Sequence, residues 1–346
     1  MEQESQPLVS VLTPVYNCEE FLAECIESVL AQTYQNWEYC IVNNCSTDRS
    51  LEIAESYAKK DKRIRVHNNK EFVGCDANGN IAMRQISTDS KYCKVVYADD
   101  WIFPECVMKM VELAEAHPTV AIVGAYWLSG TQVKGVGMPY TDAVIPGRDI
   151  CRQTLLGNLY VFGTPTAILF RSDLVRATDS FYDESNPHCD SEVCLKILTR
   201  WDFGFVHQVL TYIRKREGSE VAFSKLYNTF APNRIDRLLE FGPTVLRPGE
   251  LEACLKRYLA MYYQYLAISV FALREKEFWI FHRKKMKSIG YPLRLSRLFL
   301  AVCSKATDYL FNPKETVGRL LKSINKVSKT VPAILCLVAG MGAYLR

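Results

Sequence analysis

The sequence lacks the features that identify several common protein classes. The loop after the first predicted strand, TPVYNCEE at residues 13–20, contains no glycine, which argues against the glycine-rich phosphate loop of nucleotidyl transfer. The thirteen cysteines include no CxxC pair, so a zinc site has little support. Residues 1–7 are polar and acidic, with no basic segment followed by an apolar one. We therefore expect no cleaved secretory signal.

A long apolar run is also missing. Residues 331–346 stay apolar for about 15 residues, fewer than the roughly 20 that span a bilayer. This end of the chain is expected to dip into a membrane interface or to pack on the body of the protein. Without a secretory signal, the cysteines are expected to be reduced and to serve mostly as small core side chains.

What the sequence does contain is an alternation of strand and helix patterns in its first hundred residues. Hydrophobic residues make up 49% of the chain and charged residues 23%, a balance typical of a folded globular protein. Short β-branched runs predict strands at residues 8–13, 39–44, 64–67 and 94–98. Helical spacing predicts helices at residues 19–33, 50–60 and 76–87. The order predicts an α/β fold with a mostly parallel central sheet.

Polar residues follow three of these strands at the point where each strand ends. They occupy residues 13–17, 43–48 and 99–101. Ligands of open α/β sheets bind at the carboxyl ends of the strands. The sequence therefore predicts a binding site at one rim of the sheet.

Asp99 and Asp100 form an adjacent pair at the end of the fourth predicted strand. Two neighbouring carboxylates repel each other unless a positive charge lies beside them. Mg²⁺ or Mn²⁺ bridging to a diphosphate would supply that charge, because such cations take one or two protein carboxylates and leave the other positions to phosphate and water. The alternative is a solvated acidic turn that caps the next helix.

Several motifs in order resemble those of glycosyltransferase family 2, the inverting GT-A type. They are VSVLTPVYN (9–17), IVNNCSTD (41–48), YADDWIFP (97–104), GTPTAILFRSDLV (163–175), SFYDESNPHCDSEVCLKIL (180–198) and TYIRKREGS (211–219). The resemblance covers roughly residues 8–220. It implies a GT-A fold that binds a nucleotide-diphosphate sugar, and a hexosyltransferase-type activity (EC 2.4).

Carried over by position, the resemblance implies roles for the residues at the rim. Asp100 would be the principal metal ligand, and Asp99 would approach the ribose or the metal. The remaining donor-binding residues would be Thr13, Pro14, Val15, Tyr16, Asn43, Asn44, Asn80 and either Arg214 or Arg216. Asn43 is a departure, because the family usually has an aspartate there. An amide can donate as well as accept a hydrogen bond, so the preferred base or sugar could differ.

Asp190 matches the catalytic base of the family. Sugar transfer requires the leaving diphosphate to be stabilised and the acceptor hydroxyl to lose its proton, and a single displacement of this kind inverts the anomeric centre. The simpler interpretation of Asp190 is a cap on the following helix, and both roles can coexist. His188 could also transfer a proton, but the family match falls on Asp190.

The chain beyond about residue 230 loses its strand patterns and becomes helical and basic. We therefore predict two domains, a GT-A domain at 1–230 and a helical extension at 231–346. From residue 272 onward there are 15 basic and 4 acidic residues, a net +11, so the preceding part carries −7 of the total +4. Mixed apolar and basic residues are typical of membrane-surface helices. Packing on the catalytic domain and nucleic-acid binding are the alternatives, and no nucleic-acid-binding motif supports the latter.

Together these features predict a cytoplasmic enzyme, peripheral on the cytoplasmic face of a membrane. Its expected partners are a nucleotide-diphosphate sugar donor and a glycan or lipid-linked glycan acceptor, as in bacterial polysaccharide biosynthesis, and we expect no nucleic-acid partner. The alternative is a catalytically silent protein that binds sugar nucleotides and assembles other enzymes. The Asn43 departure favours that alternative, whereas Asp99, Asp100 and Asp190 favour the enzyme.

Overall fold

A ten-stranded mixed sheet lies at the centre of the computed structural model, which describes residues 6–215, 224 and 226–311. The order of the main strands is β3-β2-β1-β4-β9-β6-β10-β5, while β7 pairs with β6 and β8 with β10. The strands are β1 Val9–Val15, β2 Trp37–Asn43, β3 Ile64–Asn68, β4 Tyr92–Val95, β5 Trp101–Ile102, β6 Val120–Ser129, β7 Gln132–Lys134, β8 Val144–Ile145, β9 Ile168–Arg171 and β10 Asp202–Tyr212.

Helices connect the strands and continue beyond the sheet. They are α1 Leu22–Leu30, α2 Ser50–Ala58, α3 Cys75–Met83, α4 Cys106–Ala116, α5 Gly147–Leu156, α6 Ser172–Arg176, α7 Cys189–Leu198, α8 Phe230–Val245, α9 Pro248–Phe271, α10 Lys276–Ser288 and α11 Leu295–Phe311. A short 3₁₀ turn, Pro165–Ala167, precedes β9. The predicted alternation of strand and helix is confirmed.

The strands β3, β2, β1 and β4 are parallel, as the sequence predicts. The strand β1 continues through Pro14 instead of ending there. Its pairing with β4 stops at Leu12, so the missing N–H of Pro14 interrupts no bond on that side. Antiparallel β9 then separates these strands from the parallel pair β6 and β10. The sheet is therefore mixed.

The core of the sheet is apolar and includes many of the cysteines. Cys25 and Val29 of α1 are fully buried, so one face of that helix belongs to the core. Each aliphatic side chain removed from water in this way contributes roughly 1.5–3 kcal/mol. Nine of the twelve cysteines in the described residues are buried, so the prediction that cysteines act mostly as core side chains is also confirmed.

The chain divides into two compact units, residues 1–255 and 256–346. The division lies further along than the boundary near residue 230 that the sequence suggests. The helix α8 belongs to the first unit, where it packs on α5 and α7 and buries Ile235, Leu238 and Phe241. The end of the strand patterns thus marks a change from strands to helices within the first unit.

The second unit is helical in the residues that the structure describes. Tyr262 of α9 bonds His282 of α10 at 2.6 Å, and Phe278 and Met286 of α10 are buried. No residue of α11 is buried. Across residues 6–311, apart from the undescribed positions, no helix is long and apolar enough to cross a bilayer. The apolar segment 331–346 lies outside the described residues.

Candidate active site

The loops after β1 and β2 are tied to each other at the rim of the sheet. The backbone N–H of Asn17 donates to the Ser46 hydroxyl at 3.1 Å, and the N–H of Thr47 donates to Asn17 Oδ1 at 2.8 Å. Asn17 and Cys45 adopt left-handed backbone conformations, with φ of 47° and 56°. Such conformations are uncommon for residues other than glycine and cluster at functional sites. The cross-links hold both loops in one arrangement.

Of the four expected donor-binding residues at positions 13–16, only Tyr16 presents a largely exposed side chain, at 46%. The Thr13 hydroxyl is buried and donates to the Val96 carbonyl at 2.7 Å. Val15 is buried as well, and Pro14 is partly buried. Thr13 and Val15 can therefore contribute only backbone atoms to a ligand, whereas Tyr16 can contribute its ring.

Asn43 and Asn44 are both buried, and their amide groups already have partners within the protein. Asn43 donates to Asn68 Oδ1 at 2.6 Å, and its own Oδ1 accepts the Ser46 N–H at 3.4 Å. An aspartate at position 43 could not donate to Asn68, which gives the departure from the family pattern a local physical reason.

Asn44 fastens the loop before α3. Its amide donates to the Val73 carbonyl at 2.8 Å, and its Oδ1 accepts the Val73 N–H at 3.0 Å and the Asn69 amide at 3.1 Å. The adjacent Phe72 is 59% exposed, and its ring centroid lies 4.7 Å from that of Tyr16. Phe72 is not among the predicted site residues. An aromatic residue in the loop after a predicted strand was the available signal.

Asp100 is 4% exposed and is held by two donors. The Thr166 hydroxyl donates to Oδ2 at 2.7 Å, and the backbone N–H of Arg214 donates to Oδ1 at 2.9 Å. Burial raises the pKa of Asp100 to about 7, and the neighbouring Asp99 charge raises it too, while the hydrogen bonds from Thr166 and Arg214 oppose the shift.

Arg214, one of the two arginines expected to bind the donor, lies beside the aspartate pair. Its Nε donates to the Asp99 carbonyl at 2.9 Å, and its guanidinium pairs with Glu24 and lies 4.5 Å from the Phe21 ring centroid. The pairing β10–β5 brings it there, because Tyr212 is in register with Trp101. Arg216 lies outside the described residues.

The aspartate pair fits a hard divalent cation that arrives with a diphosphate. In the described residues, no three His, Cys, Asp or Glu side chains form a metal-binding group. A cation such as Mg²⁺ needs only one or two carboxylates when phosphate oxygens and water complete its coordination. Each oxygen of Asp100 accepts one hydrogen bond and retains a further lone pair. Burial raises the pKa of Asp100. A cation beside the carboxylate would favour its charged form and so lower that pKa.

Asp190 lies in the first turn of α7, one residue after the start of the helix. Its Oδ1 accepts the N–H of Ser191 at 2.6 Å. Burial raises the pKa of Asp190, while the Ser191 N–H and the positive charge of Arg237 oppose that shift and Asp76 adds to it. Burial in turn lowers the pKa of the Arg237 guanidinium. Arg237 was not predicted, because it lies beyond the expected domain boundary.

Tyr97 connects the surroundings of Asp190 with those of Asp100. Its backbone N–H donates to the hydroxyl of Thr166 at 3.1 Å, the same hydroxyl that donates to Asp100. Burial first, and then nearby groups that include Asp190, hold the pKa of the Tyr97 phenol well above its usual range. Tyr97 thus shares Thr166 with Asp100, and its phenol lies within the electrostatic influence of Asp190.

Two further polar residues have structural roles. Asn80 is buried and holds the loop before α7, since its Nδ2 donates to the Ser180 hydroxyl and the Tyr182 carbonyl, each at 2.9 Å. His188 is buried, with Nε2 2.9 Å from the Thr229 hydroxyl and its ring centroid 4.2 Å from that of Phe230. The amide of Asn80 is thus used by the protein itself.

This architecture is the GT-A fold of glycosyltransferases, followed by a helical C-terminal part. It is similar to S. aureus TarS 1–349 in complex with UDP-GlcNAc, with a TM-score of 0.60 and 19% identity, covering 84% of this chain and 83% of that TarS chain. It is also similar to the mannosyltransferase PcManGT from Pyrobaculum calidifontis in complex with GDP-Man and Mn²⁺, with a TM-score of 0.54 and 16% identity, covering 90% and 83%.

Residues 10–177 match the model of glycosyl transferase family 2. This segment is just under half of the chain and includes the aspartate pair. An uncharacterised glycosyltransferase of Haemophilus influenzae is 37% identical over 196 residues, which cover 54% of this chain. The chain spans 58% of the length of that relative. The family resemblance of the sequence is thus supported over the strands that form the rim.

Proposed function

We propose that the protein is an inverting family 2 glycosyltransferase of the hexosyltransferase type. It moves a sugar from a nucleotide-diphosphate donor to a hydroxyl of a glycan or a lipid-linked glycan. The observation that carries this proposal is the rim of the sheet, where Arg214 bonds both Asp100 and the Asp99 carbonyl. The family 2 match over residues 10–177 supports the same reaction.

Asp190 acts as the general base in this proposal. The carboxylate accepts the proton of the acceptor hydroxyl as that oxygen attacks the anomeric carbon. Burial raises its pKa, which makes it a stronger base than an exposed aspartate. The backbone N–H of Ser191 in the first turn of α7 and the charge of Arg237 both favour its ionised form.

Asp99 and Asp100 would hold a divalent cation, Mg²⁺ or Mn²⁺, beside the donor diphosphate. When bound, such a cation supplies positive charge that stabilises the leaving diphosphate. Arg214 fixes this part of the site, since its backbone N–H and Nε bond Asp100 and the Asp99 carbonyl. Tyr16 and Phe72 offer exposed rings on which a base can stack. The surrounding pocket is shaped by the other expected donor-binding residues, Thr13, Pro14, Val15, Asn43, Asn44 and Asn80.

Donor turnover with a matched pair of aspartate variants tests the proposal. The purified protein is incubated with UDP- and GDP-sugars and Mn²⁺, and release of the nucleoside diphosphate is measured. Both bases are included because the solved relatives hold UDP-GlcNAc or GDP-Man. Asp190→Asn should lose most turnover and keep donor affinity. Asp149→Asn is the control, because Asp149 also lies in the first turn of a helix but is exposed.

Two results would contradict parts of this proposal. Near wild-type turnover by Asp190→Asn would mean that another group is the base. Binding of a sugar nucleotide without turnover of any donor would instead favour the catalytically silent binding protein, in which Asn43 occupies a position that is usually acidic.

The second unit is proposed to contact the cytoplasmic face of a membrane. In α11, Leu295, Phe299 and Leu300 are all more than 60% exposed, and α10 carries the basic run at residues 283–287. Apolar side chains next to basic ones favour anionic lipid surfaces. The protein should pellet with anionic vesicles and be released by high salt. Phe299→Glu should reduce pelleting, and pelleting unchanged by this substitution would contradict the proposal.

A further inference from the structure

Lys94 is a fully buried lysine in the central strand β4. Lysine is almost never buried without a partner. In the described part of the chain its ammonium donates to two backbone carbonyls, that of Ile168 at 3.0 Å and that of Thr166. Burial lowers the pKa of this ammonium, while Asp100 is among the negative groups that oppose the shift. The proposed reaction gives Lys94 no chemical step, so its burial needs another explanation.

The carbonyls that Lys94 binds belong to the segment that carries Thr166. That segment is the 3₁₀ turn Pro165–Ala167 and the first residue of β9. The Thr166 side chain is fully buried. Its hydroxyl donates to Asp100 Oδ2 at 2.7 Å and accepts the Tyr97 N–H at 3.1 Å. Because one interaction uses its proton and the other a lone pair, the orientation of this hydroxyl is fixed.

We propose that Lys94 and Thr166 are positioning residues that set the orientation of the Asp100 carboxylate before a divalent cation and a diphosphate bind. Lys94 holds the turn, the turn presents the Thr166 hydroxyl, and the hydroxyl holds Oδ2 of Asp100. This inference rests on the proposed function for its ligand, but the orientation of Asp100 can be measured without any ligand.

The second oxygen of Asp100 is held by a donor from another segment. Its donor is the backbone N–H of Arg214, which follows β10. Two donors from separate segments leave the carboxylate a single favourable orientation. Partners that orient a ligating carboxylate typically change metal affinity by about 10–100-fold when they are removed.

Thr166→Val tests the inference because it keeps the shape of the side chain and removes only the hydroxyl. Thr166→Ser restores the hydroxyl and should restore each property that the valine loses. Thr211→Val is the matched control, since Thr211 is fully buried in β10 and its hydroxyl has no hydrogen-bond partner in the described residues. Lys94→Met tests whether Lys94 holds the turn at residues 165–167. This substitution removes the donor to two buried carbonyls, so it can also lower stability.

Crystal structures of the ligand-free variants give the first readout. In Thr166→Val the Asp100 carboxylate should rotate or occupy two conformers, whereas Thr211→Val and Thr166→Ser should keep the wild-type orientation. Lys94→Met, if it folds, should displace the turn at residues 165–167. An unmoved Asp100 in Thr166→Val would overturn the inference whatever the protein binds.

Calorimetric titration of Mn²⁺ in the presence of UDP or GDP gives the second readout. Thr166→Val should bind Mn²⁺ about 10–100-fold more weakly than wild type, with Thr166→Ser and Thr211→Val within about threefold. If wild type binds neither Mn²⁺–nucleotide pair, the proposed function fails, and the crystal structures still decide whether Thr166 orients Asp100. If wild type binds and Thr166→Val binds equally well, the positioning inference fails while the proposed function stands.

Discussion

Removal of the Asn44 side chain should destabilise the first unit and loosen the proposed base pocket together. Asn44→Ala deletes three hydrogen bonds of a buried side chain, two with the backbone of Val73 and one from the Asn69 amide. Each such bond contributes a net 0.5–1.5 kcal/mol or so, and unpaired buried groups cost more. The loss should therefore be about 2–4 kcal/mol. Because Val73 adjoins the exposed Phe72, nucleotide affinity should fall as well.

Urea denaturation followed by tryptophan fluorescence measures the free energy of unfolding, and titration with UDP or GDP measures the affinity. Asn158→Ala is the control, since Asn158 is exposed and its amide donates to Gln153, so its change should stay within about 0.5 kcal/mol. Asn44→Asp should be intermediate, because it keeps the acceptor for Val73 but not the donor. A free energy of unfolding for Asn44→Ala within 0.5 kcal/mol of wild type or so would refute this reasoning.

Three further predictions concern the base, the aromatic rim and a packed glycine. Burial raises the pKa of Asp190, and only the ionised carboxylate accepts a proton. As the pH is lowered, kcat should therefore fall with a midpoint above the usual pKa range of aspartate. Arg237→Met should move this midpoint to higher pH, whereas Arg234→Met, on the same helix, should not. Phe72→Ala should weaken nucleotide binding by about 1 kcal/mol from the lost stacking, measured by calorimetry, with no change in melting temperature. Gly147→Ala should lower the free energy of unfolding by about 1–3 kcal/mol or more, because its Cβ would overlap the carbonyl oxygens of Trp201 and Leu198; an unchanged urea midpoint would contradict this.

The sequence predicted the strands and the aspartate pair because both depend on local patterns. Apolar runs and strand-end polar clusters are visible within a few residues of one another, so the rim formed by β1, β2 and β4 follows directly. The family resemblance added Asp190 and Arg214. The structure places Arg214 against Asp99 and Asp100, more than a hundred residues away in the chain.

The contacts that the sequence could not predict join distant segments. Lys94 lies within a run interpreted only as an apolar strand, and its carbonyl partners are more than seventy residues away. From the sequence, the Asn44 side chain is expected to bind the donor. In the structure it forms hydrogen bonds with the backbone of Val73. Arg237 was assigned to a separate domain because α8 follows the last strand pattern. Side-chain partners of this kind depend on the sheet order, which local periodicity does not determine.

The position of α8 within the first unit has a practical consequence for anyone who shortens the gene. A protein ended at residue 230, where the strand patterns stop, would lack Arg237 and with it the positive charge that favours ionised Asp190. It would also uncover the side of α5 and α7 that Ile235 and Leu238 cover. An inactive or insoluble product from such a fragment would reflect the missing helix and would say nothing about the catalytic power of the whole chain.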